Sequence, residues 1–404
     1  MKWTSRRGRI GAAAAVALSL ALTACGGGAD ADQGGGGGGE KGGTFTLGAA
    51  LALTGGQAEL GQDFLTFVEY GAEAANEKYK ADGITIEVAP EDTQATAEMG
   101  ASAFNKLASV NNAPIVVTAW SAAVKAMAPI AEDLGVALVN AGAGDSDLEA
   151  LTPNIANLYT LNSRIVSETA TYAAEEEGKE RAAIVFIDNA SGQSAVDDYT
   201  KAFEEAGGEV VAVQAIQPGA VDASSQVAKI AAEDPDTVHI QTLQEGGAVI
   251  RAMEEQGLGD VLVTMQTGVA QDAAVRTAVG DAMDGVVYAT GLSKGKDDPT
   301  LGPLVERFKK EHDGREPSGL SYMSYWHDIS LIYAEAIKRL QDAGDEVNGE
   351  NLLEELRSGK SFDTPLLGEV TFNDNLLFTP PVTLKQIKDT AAPASDDEVI
   401  ATVG

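Results

Sequence analysis

From residue 44 onward, short apolar runs alternate regularly with longer amphipathic ones, and this alternation constrains the fold more than any other feature. The runs 44–51, 84–88, 114–118, 136–139, 182–187, 210–215, 238–242, 261–265 and 286–289 are brief, rich in Val, Ile or Leu, and bounded by Gly, Asp, Asn or Pro. Strands buried on both faces have that character. Between them, Phe64, Phe67, Val68, Gly71, Ala72, Ala75 and Tyr79 fall on one helical face. Segments 195–206, 225–232 and 248–256 repeat the helical pattern, with Gly207 and Gly257 as C-terminal stops. Strand and helix in alternation predict an α/β fold of open parallel sheets with right-handed crossovers. In such sheets ligands bind beyond the carboxyl ends of the strands, so the residues just after each run are the ones to examine. Pro129, inside the helical pattern 121–134, predicts a kink or two short helices.

The first forty residues carry a different message. Lys2, Arg6, Arg7 and Arg9 precede the nearly all-apolar stretch 10–22. That stretch is shorter than the ~20 residues that span a bilayer and reads as a signal-peptide core. It ends in Leu22-Thr23-Ala24-Cys25, the apolar–small–small–Cys pattern of a lipobox. Small residues suit a peptidase cleft, and the Cys25 thiol would take the lipid anchor. Ser5-Arg6-Arg7 leaves the twin-arginine route open beside general secretion. Residues 26–43 are dominated by glycine and read as a flexible tether. The run 34–39 is no phosphate loop, because no strand precedes it and no helix pattern follows directly.

The remaining length suits two domains rather than one. With 61 acidic against 28 basic residues the net charge is −33, more negative still without the basic leader. Such a chain repels nucleic acid and anionic lipid, so an anchor rather than surface charge must hold it at a membrane. Cys25 is the only cysteine, so once it is acylated the chain has no disulfide, thiol catalysis or cysteine metal site. His239, His312 and His327 are scattered without metal-ligand spacing. There is no GxSxG elbow, P-loop or strand-borne GxGxxG, and Asp188, Asp222 and Asp236 are isolated acids in loop settings. Neither an enzyme nor a cofactor is expected.

Several ordered motifs resemble type I periplasmic binding proteins of the leucine/isoleucine/valine-binding kind. They are Leu53-Thr54-Gly55 with Leu60-Gly61-Gln62-Asp63-Phe64, Ala128-Pro129-Ile130-Ala131-Glu132 with Gly135-Val136, and Ser191-Gly192-Gln193 with Phe203. The stretch from Val221 to Ile230 ending in Asp234-Pro235-Asp236, and Leu366-Leu367-Gly368-Glu369-Val370-Thr371-Phe372, complete the set. The resemblance implies two Rossmann-like lobes joined by a three-strand hinge, with ligand trapped between them. It divides the chain into a lipoprotein signal peptide 1–24, a Gly-rich tether 25–43, lobe one at 44–159 plus 290–375, and lobe two at 160–289 plus 376–404. Hinges would fall at 158–160, 288–291 and near Thr379. It implies the binding component of an ABC importer, lipid-anchored at the extracytoplasmic face, with permease subunits and a cytoplasmic ATPase as partners. A sensor of the same fold, an enzyme on the same scaffold and an adhesive lipoprotein are the alternatives.

Carried over residue by residue, the resemblance puts Leu60 where the family has an aromatic, and Ser121, Ala122 and Ala123 at the carboxylate-binding turn. Gly142, Ala143 and Gly144 replace a threonine-bearing segment, Ser191 replaces a pocket tyrosine, and Thr242 or Leu243 a second one. The glutamate that pairs with an α-ammonium falls near Gln266 and Thr267, so the expected counter-charge is lost unless Glu245 or Asp145 supplies it. The amides of residues 142–144 and the Ser121 hydroxyl are expected to serve a carboxylate. The ligand set implied is a branched-chain or aliphatic amino acid, or a related amide or carboxylate. Trp120 follows a strand and either stacks on ligand or packs at the cleft rim. Ser121 is a helix N-cap, an anion contact, or both. Asp145 either contacts ligand or caps the helical turn after it, and Tyr325 and Trp326 read as core or lobe-surface residues of a helix over 322–340.

Overall fold

The computed structural model describes residues 41–151, 155–291, 294 and 298–403. The leader, Cys25 and most of the tether lie outside the described residues. The first sheet holds β1 (Gly43–Leu51), β2 (Ile84–Asp92), β3 (Ile115–Thr118), β4 (Ala137–Asn140) and β5 (Ile155–Asn157) in the order β2-β1-β3-β4-β5, all parallel. β3, β4 and β5 are buried on both faces because each face is covered, whereas the edge strand β2 alternates buried Ile84 and Ile86 with exposed Thr85 and Glu87. Leu47, Ala49, Leu51, Ile115, Val117, Ala137 and Val139 pack on one side, beneath α1 (Ala58–Lys78). Ala50, Val116 and Leu138, one residue out of phase, pack on the other beneath α2 (Ala97–Ser109) and α3 (Ser121–Leu134). The two-residue period of a strand assigns neighbours to opposite cores.

The second sheet holds β6 (Arg181–Ile187), β7 (Glu209–Ile216), β8 (Thr237–Gln241), β9 (Leu262–Met265) and β10 (Val287–Thr290), parallel to one another. α4 (Asn162–Thr171) and α5 (Ala190–Glu205) cover Ala182, Ile184 and Phe186 on one face. α6 (Ser224–Ala231) and α7 (Gly246–Glu255) cover Ala183, Val185, Val238 and Ile240 on the other. The short α8 (Thr267–Gln271) and α9 (Ala273–Val279) carry the chain from β9 toward β10.

After β10 the chain returns to the first sheet through α10 (Leu301–Glu311), α11 (Met323–Ala343) and α12 (Gly349–Arg357), which join the α1 side of its core. α11 is buried over most of its circumference, which settles Tyr325 and Trp326 as core residues. α1 and α11 touch backbone to backbone at Gly71, where a Cβ would stand 1.9 Å from the His327 carbonyl oxygen. Only glycine permits that approach. The hairpin β11 (Phe362–Thr364) and β12 (Gly368–Val370) follows. Then β13 (Val382–Gln386) pairs antiparallel with β10, and β14 (Glu398–Val403) pairs antiparallel with β13. The chain passes between the lobes beside Asn157, which bridges to Leu377.

Three sequence readings change. β5 and the β13–β14 edge were not among the expected strands, so the second sheet is mixed rather than wholly parallel. Three residues are too few for a pattern, and β14 lies mostly at the surface, where nothing selects for an apolar run. Pro129 does not split its segment into two short helices: α3 is one helix from Ser121 to Leu134. Its ring stands nine positions in, where a lost backbone bond is tolerated rather than terminating.

Candidate ligand-binding cleft

The carboxyl ends of both sheets open onto one cavity of about 190 Å³. From the first lobe come Gln57, Leu60 and Phe64 after β1, Ala119–Ala122 after β3, and Gly142–Gly144 after β4. From the second come Ile187, which ends β6, with Asn189–Gly192 after it, Gln241, which ends β8, with Thr242 and Leu243 after it, and Gln266 after β9. Tyr159 and Asn162, at the passage between lobes, and Tyr322, just before α11, complete it. The walls are thus built from strand-end segments, as open α/β sheets dictate.

Backbone chemistry shapes the first wall. Trp120 holds φ 62° and ψ 111°, a strained conformation for a bulky residue, costing about 1–3 kcal/mol. That turn starts α3 immediately after β3 and leaves the indole on the cavity wall beside Phe64, at 5.8 Å between rings. Phe64 in turn lies 5.7 Å from Tyr322 and stacks on Trp326 at 4.5 Å. Ser121 is 7% exposed and its hydroxyl has no protein partner. It is the first residue of α3 rather than its side-chain cap, and the Ala123 and Val124 amides both donate to the Trp120 carbonyl.

On the second wall, Gly192 stands where a Cβ would lie 2.0 Å from the Ile187 carbonyl oxygen, so α5 starts tight against the end of β6. Asn189 caps that helix by accepting from the Gly192 amide at 2.8 Å. Asn162 donates to the Ser191 carbonyl and hydroxyl oxygens at 3.0 and 3.2 Å, and its own amide donates to the Gly144 carbonyl. Across the opening, the Gln266 side-chain amide donates to the Tyr322 hydroxyl at 3.3 Å. Farther along the same seam, the Ser146 hydroxyl donates to Asp198 of α5 at 2.5 Å and the Ser146 amide to the Ser194 hydroxyl at 2.9 Å. Burial holds the Asp198 carboxyl above its usual range despite those donors.

Among the described residues lining the cavity there is no Asp, Glu, Lys, Arg or His. Glu245 accepts from the Gly219 and Leu243 amides at 2.6 and 3.2 Å. Asp145 pairs with Lys125 at 2.7 Å and accepts from the Asp147 amide, capping the turn after it. Neither carboxylate lines the cavity and both are engaged by other donors, so neither replaces the missing counter-charge.

The structure brings together Leu60, Trp120, Ser121, Gly142, Gly144, Ser191 and Thr242. It leaves out Ala123, whose side chain is buried against Gly100 of α2, because the helix has already turned away. Thr267 also falls outside: its hydroxyl donates to the Ala289 carbonyl at 2.5 Å, locking α8 to β10. The Gly142 and Ala143 amides are spent on the Asn140 side-chain oxygen, at 3.1 and 2.7 Å, so two of the donors expected for a carboxylate are occupied. Phe64, Tyr159, Asn162, Gln241 and Tyr322 were not expected as wall residues. Gln241 alone carried a usable signal, as the last residue of a strand.

Behind Gln241 sits His239, 1% exposed, bonded to the Thr264 hydroxyl at 2.9 Å and to the Gln241 side chain at 3.3 Å. Burial pushes its imidazole down to about 4. The folded protein therefore keeps His239 neutral while the unfolded chain protonates it below about pH 6.5. Stability is full above that pH, is lost as pH falls from about 6.5 to about 4, by on the order of 3 kcal/mol, and levels off below. Urea unfolding of wild type and His239→Gln between pH 7 and pH 4 checks this. The variant should show a shallower loss, and parallel curves would refute the assignment.

Against this geometry, known proteins give a clear answer. The model of the periplasmic binding protein family matches residues 44–392. The chain belongs to that family. A periplasmic binding protein binds solutes rather than transforming them. It is 24% identical over 291 residues to a Leu/Ile/Val-binding protein homolog of Brucella abortus, covering 71% of this chain and 77% of that one. The branched-chain amino acid binding protein LivJ of Streptococcus pneumoniae, solved with isoleucine, shares the fold at TM-score 0.70 and 19% identity, over 89% of this chain and 99% of that one. A solute-binding protein of R. palustris solved with 4-hydroxybenzoate does so at TM-score 0.74 and 17% identity, over 89% and 96%. Among the described residues of this periplasmic binding protein, no cluster of three or more His, Cys, Asp or Glu is placed to hold a metal. Nor is any described helix long and apolar enough to cross a membrane.

Proposed function

We propose that this protein captures a small solute between its lobes and presents it to the permease of an ABC importer, while anchored at the extracytoplasmic face through lipid on Cys25. The observation that carries the reading is a cavity walled by segments at the strand ends of both sheets, with Ser146–Asp198 and Gln266–Tyr322 hydrogen bonds spanning the two lobes beside it. Contacts of that kind form on closure and separate on opening. The lobes are 44–159 with 290–375, and 160–289 with 376–404. They hinge at 158–160, at 288–291 and near Thr379. The solute belongs to the set of branched-chain or aliphatic amino acids and their amide or carboxylate relatives. Family members of this fold hold isoleucine in one case and 4-hydroxybenzoate in another.

A closing receptor at solute about 100-fold above its dissociation constant gains ~2.7 kcal/mol of stability. A rise in melting temperature should therefore accompany a smaller radius of gyration in small-angle scattering. Binding without contraction would argue against closure. For the anchor, Cys25→Ser should leave membranes for the soluble fraction or persist as precursor, and unchanged membrane partitioning would refute acylation.

A further inference from the structure

We propose that His239 is a positioning residue of the solute site: from behind the wall it holds the Gln241 carboxamide by its oxygen and aims the Gln241 nitrogen into the cavity as a hydrogen-bond donor. This rests on the reading of the cavity as the solute site and adds a residue that acts on that site without touching it.

The strand sets the arrangement. Side chains of β8 alternate, so Val238 and Ile240 enter the core under α6 and α7 while His239 and Gln241 face the other way, one pleat apart. Gln241 ends the strand and lines the cavity, whereas the buried His239 lies one step deeper and does not line it. The His239 ring stacks on Tyr199 of α5 at 4.5 Å, and its register partner on β9 is Thr264. Behind the wall is a chamber of only about 10 Å³, bordered by Tyr159, His239, Gln241 and Thr267 among others. That is at the lower limit for one water molecule, so the group placed to bind the Gln241 oxygen is His239 itself.

Hydrogen-bond chemistry then fixes the direction. The Gln241 oxygen only accepts, so the His239 Nε2 facing it at 3.3 Å carries the proton. Burial keeps the imidazole neutral at ordinary pH, which leaves Nδ1 to accept from the Thr264 hydroxyl at 2.9 Å. Thr264 thus selects the tautomer, and the tautomer holds the Gln241 oxygen. The nitrogen at the other end of the carboxamide is left on the cavity side, free to meet a solute oxygen. Gln266 and Asn162 are committed by contrast: Gln266 caps the Val269 amide with its oxygen and donates to Tyr322, and Asn162 donates to Ser191. A histidine serving the core alone would need the Tyr199 stack and the Thr264 bond but no partner on the wall.

The test is calorimetric titration of the mature protein. Leucine, isoleucine, valine, 4-methylpentanoate, 4-hydroxybenzoate and 3-phenylpropanamide are screened by thermal shift, and the tightest binder is the probe. Gln241→Leu and His239→Leu should each weaken that probe about fivefold, and His239→Leu in the Gln241→Leu background should weaken it no further. His239→Gln returns an N–H donor toward the Gln241 oxygen and should recover most of the loss. Should His239→Leu not fold, Thr264→Val, which removes only the hydroxyl that selects the tautomer, takes its place in the same cycle. In nitrogen-15 spectra of histidine-labelled protein without solute, the resonances lost in His239→Gln should report the proton on Nε2. Full affinity in either single variant, additive losses in the double variant, or a proton on Nδ1 overturns the inference. Contraction of the wild type around the probe would then leave the receptor reading standing. If no member of the panel shifts the melting temperature or contracts the protein, the receptor reading falls and this inference with it.

Discussion

Asp397→Ala is expected to destabilise the second lobe by about 3–5 kcal/mol, among the largest losses any single substitution in this chain would produce. Arg276 is 4% exposed, and its guanidinium meets both Asp397 oxygens, one at 3.1 Å. The Tyr288 hydroxyl donates to the same carboxylate at 2.6 Å, and burial pushes that phenol above its ordinary range. Arg276 also donates to the Ala270 carbonyl at 2.7 Å. Removing the carboxylate leaves a buried cation without its counter-charge and a phenol without its acceptor. The cluster also fastens the segment before β14 to α9 and β10, so the C-terminal edge of the sheet should loosen first. Asp397→Asn keeps an acceptor but not the charge and should lose less than Asp397→Ala. Urea midpoints for the three proteins check the order, and equal midpoints would show that the pair is solvated rather than buried.

Asp328→Ala is expected to cost on the order of 3 kcal/mol in the first lobe. Asp328 is fully buried on α11 and accepts from the Leu366 and Leu367 amides at 2.8 and 2.6 Å and from the His327 ring at 2.7 Å. Those amides lie in the turn between β11 and β12, where both leucines are buried. Alanine leaves both without partners in a dry site, each a loss of roughly 1–3 kcal/mol. Asp328→Asn retains one good acceptor and should fall between alanine and wild type. Hydrogen exchange offers the sharper reading: the Leu366 and Leu367 amides should lose protection while α1 keeps its own. Protection unchanged at both would sink the proposed tie.

The two cases differ in how far the sequence announced them. Leu366 and Leu367 belonged to a recognisable motif, but Asp328 was one acid in a helical pattern, with nothing local to mark its partners 38 and 39 positions away. Arg276 and Asp397 are separated by 121 positions, and no pattern within either segment connects them.

The cleft divides the same way. Trp120 was legible from its place just after a strand, because parallel sheets gather their loops at one edge, whereas Leu60, Ser121, Gly142, Gly144, Ser191 and Thr242 were named through the family resemblance. Thr267 and Ala123 were misplaced by one residue of helical rotation or one competing hydrogen bond, differences a linear pattern does not encode. Tyr322 reaches the cavity only because its chain returns from the second lobe and is fixed there. Arg315 pairs with the buried Asp63 at 2.7 Å, and the Ser318 amide donates to the same carboxylate.

The sequence by itself determined the two-sheet α/β architecture and the absence of familiar catalytic motifs, because each is carried by local composition or short-range periodicity. Only the tertiary structure decided that the cavity wall is uncharged among the described residues, since that depends on where Glu245 and Asp145 point. Both acids stand close in sequence to wall residues, and both are turned toward backbone amides or Lys125. A carboxylate's direction follows from the donors that the fold brings to it, and those donors are gathered by packing rather than by sequence neighbours.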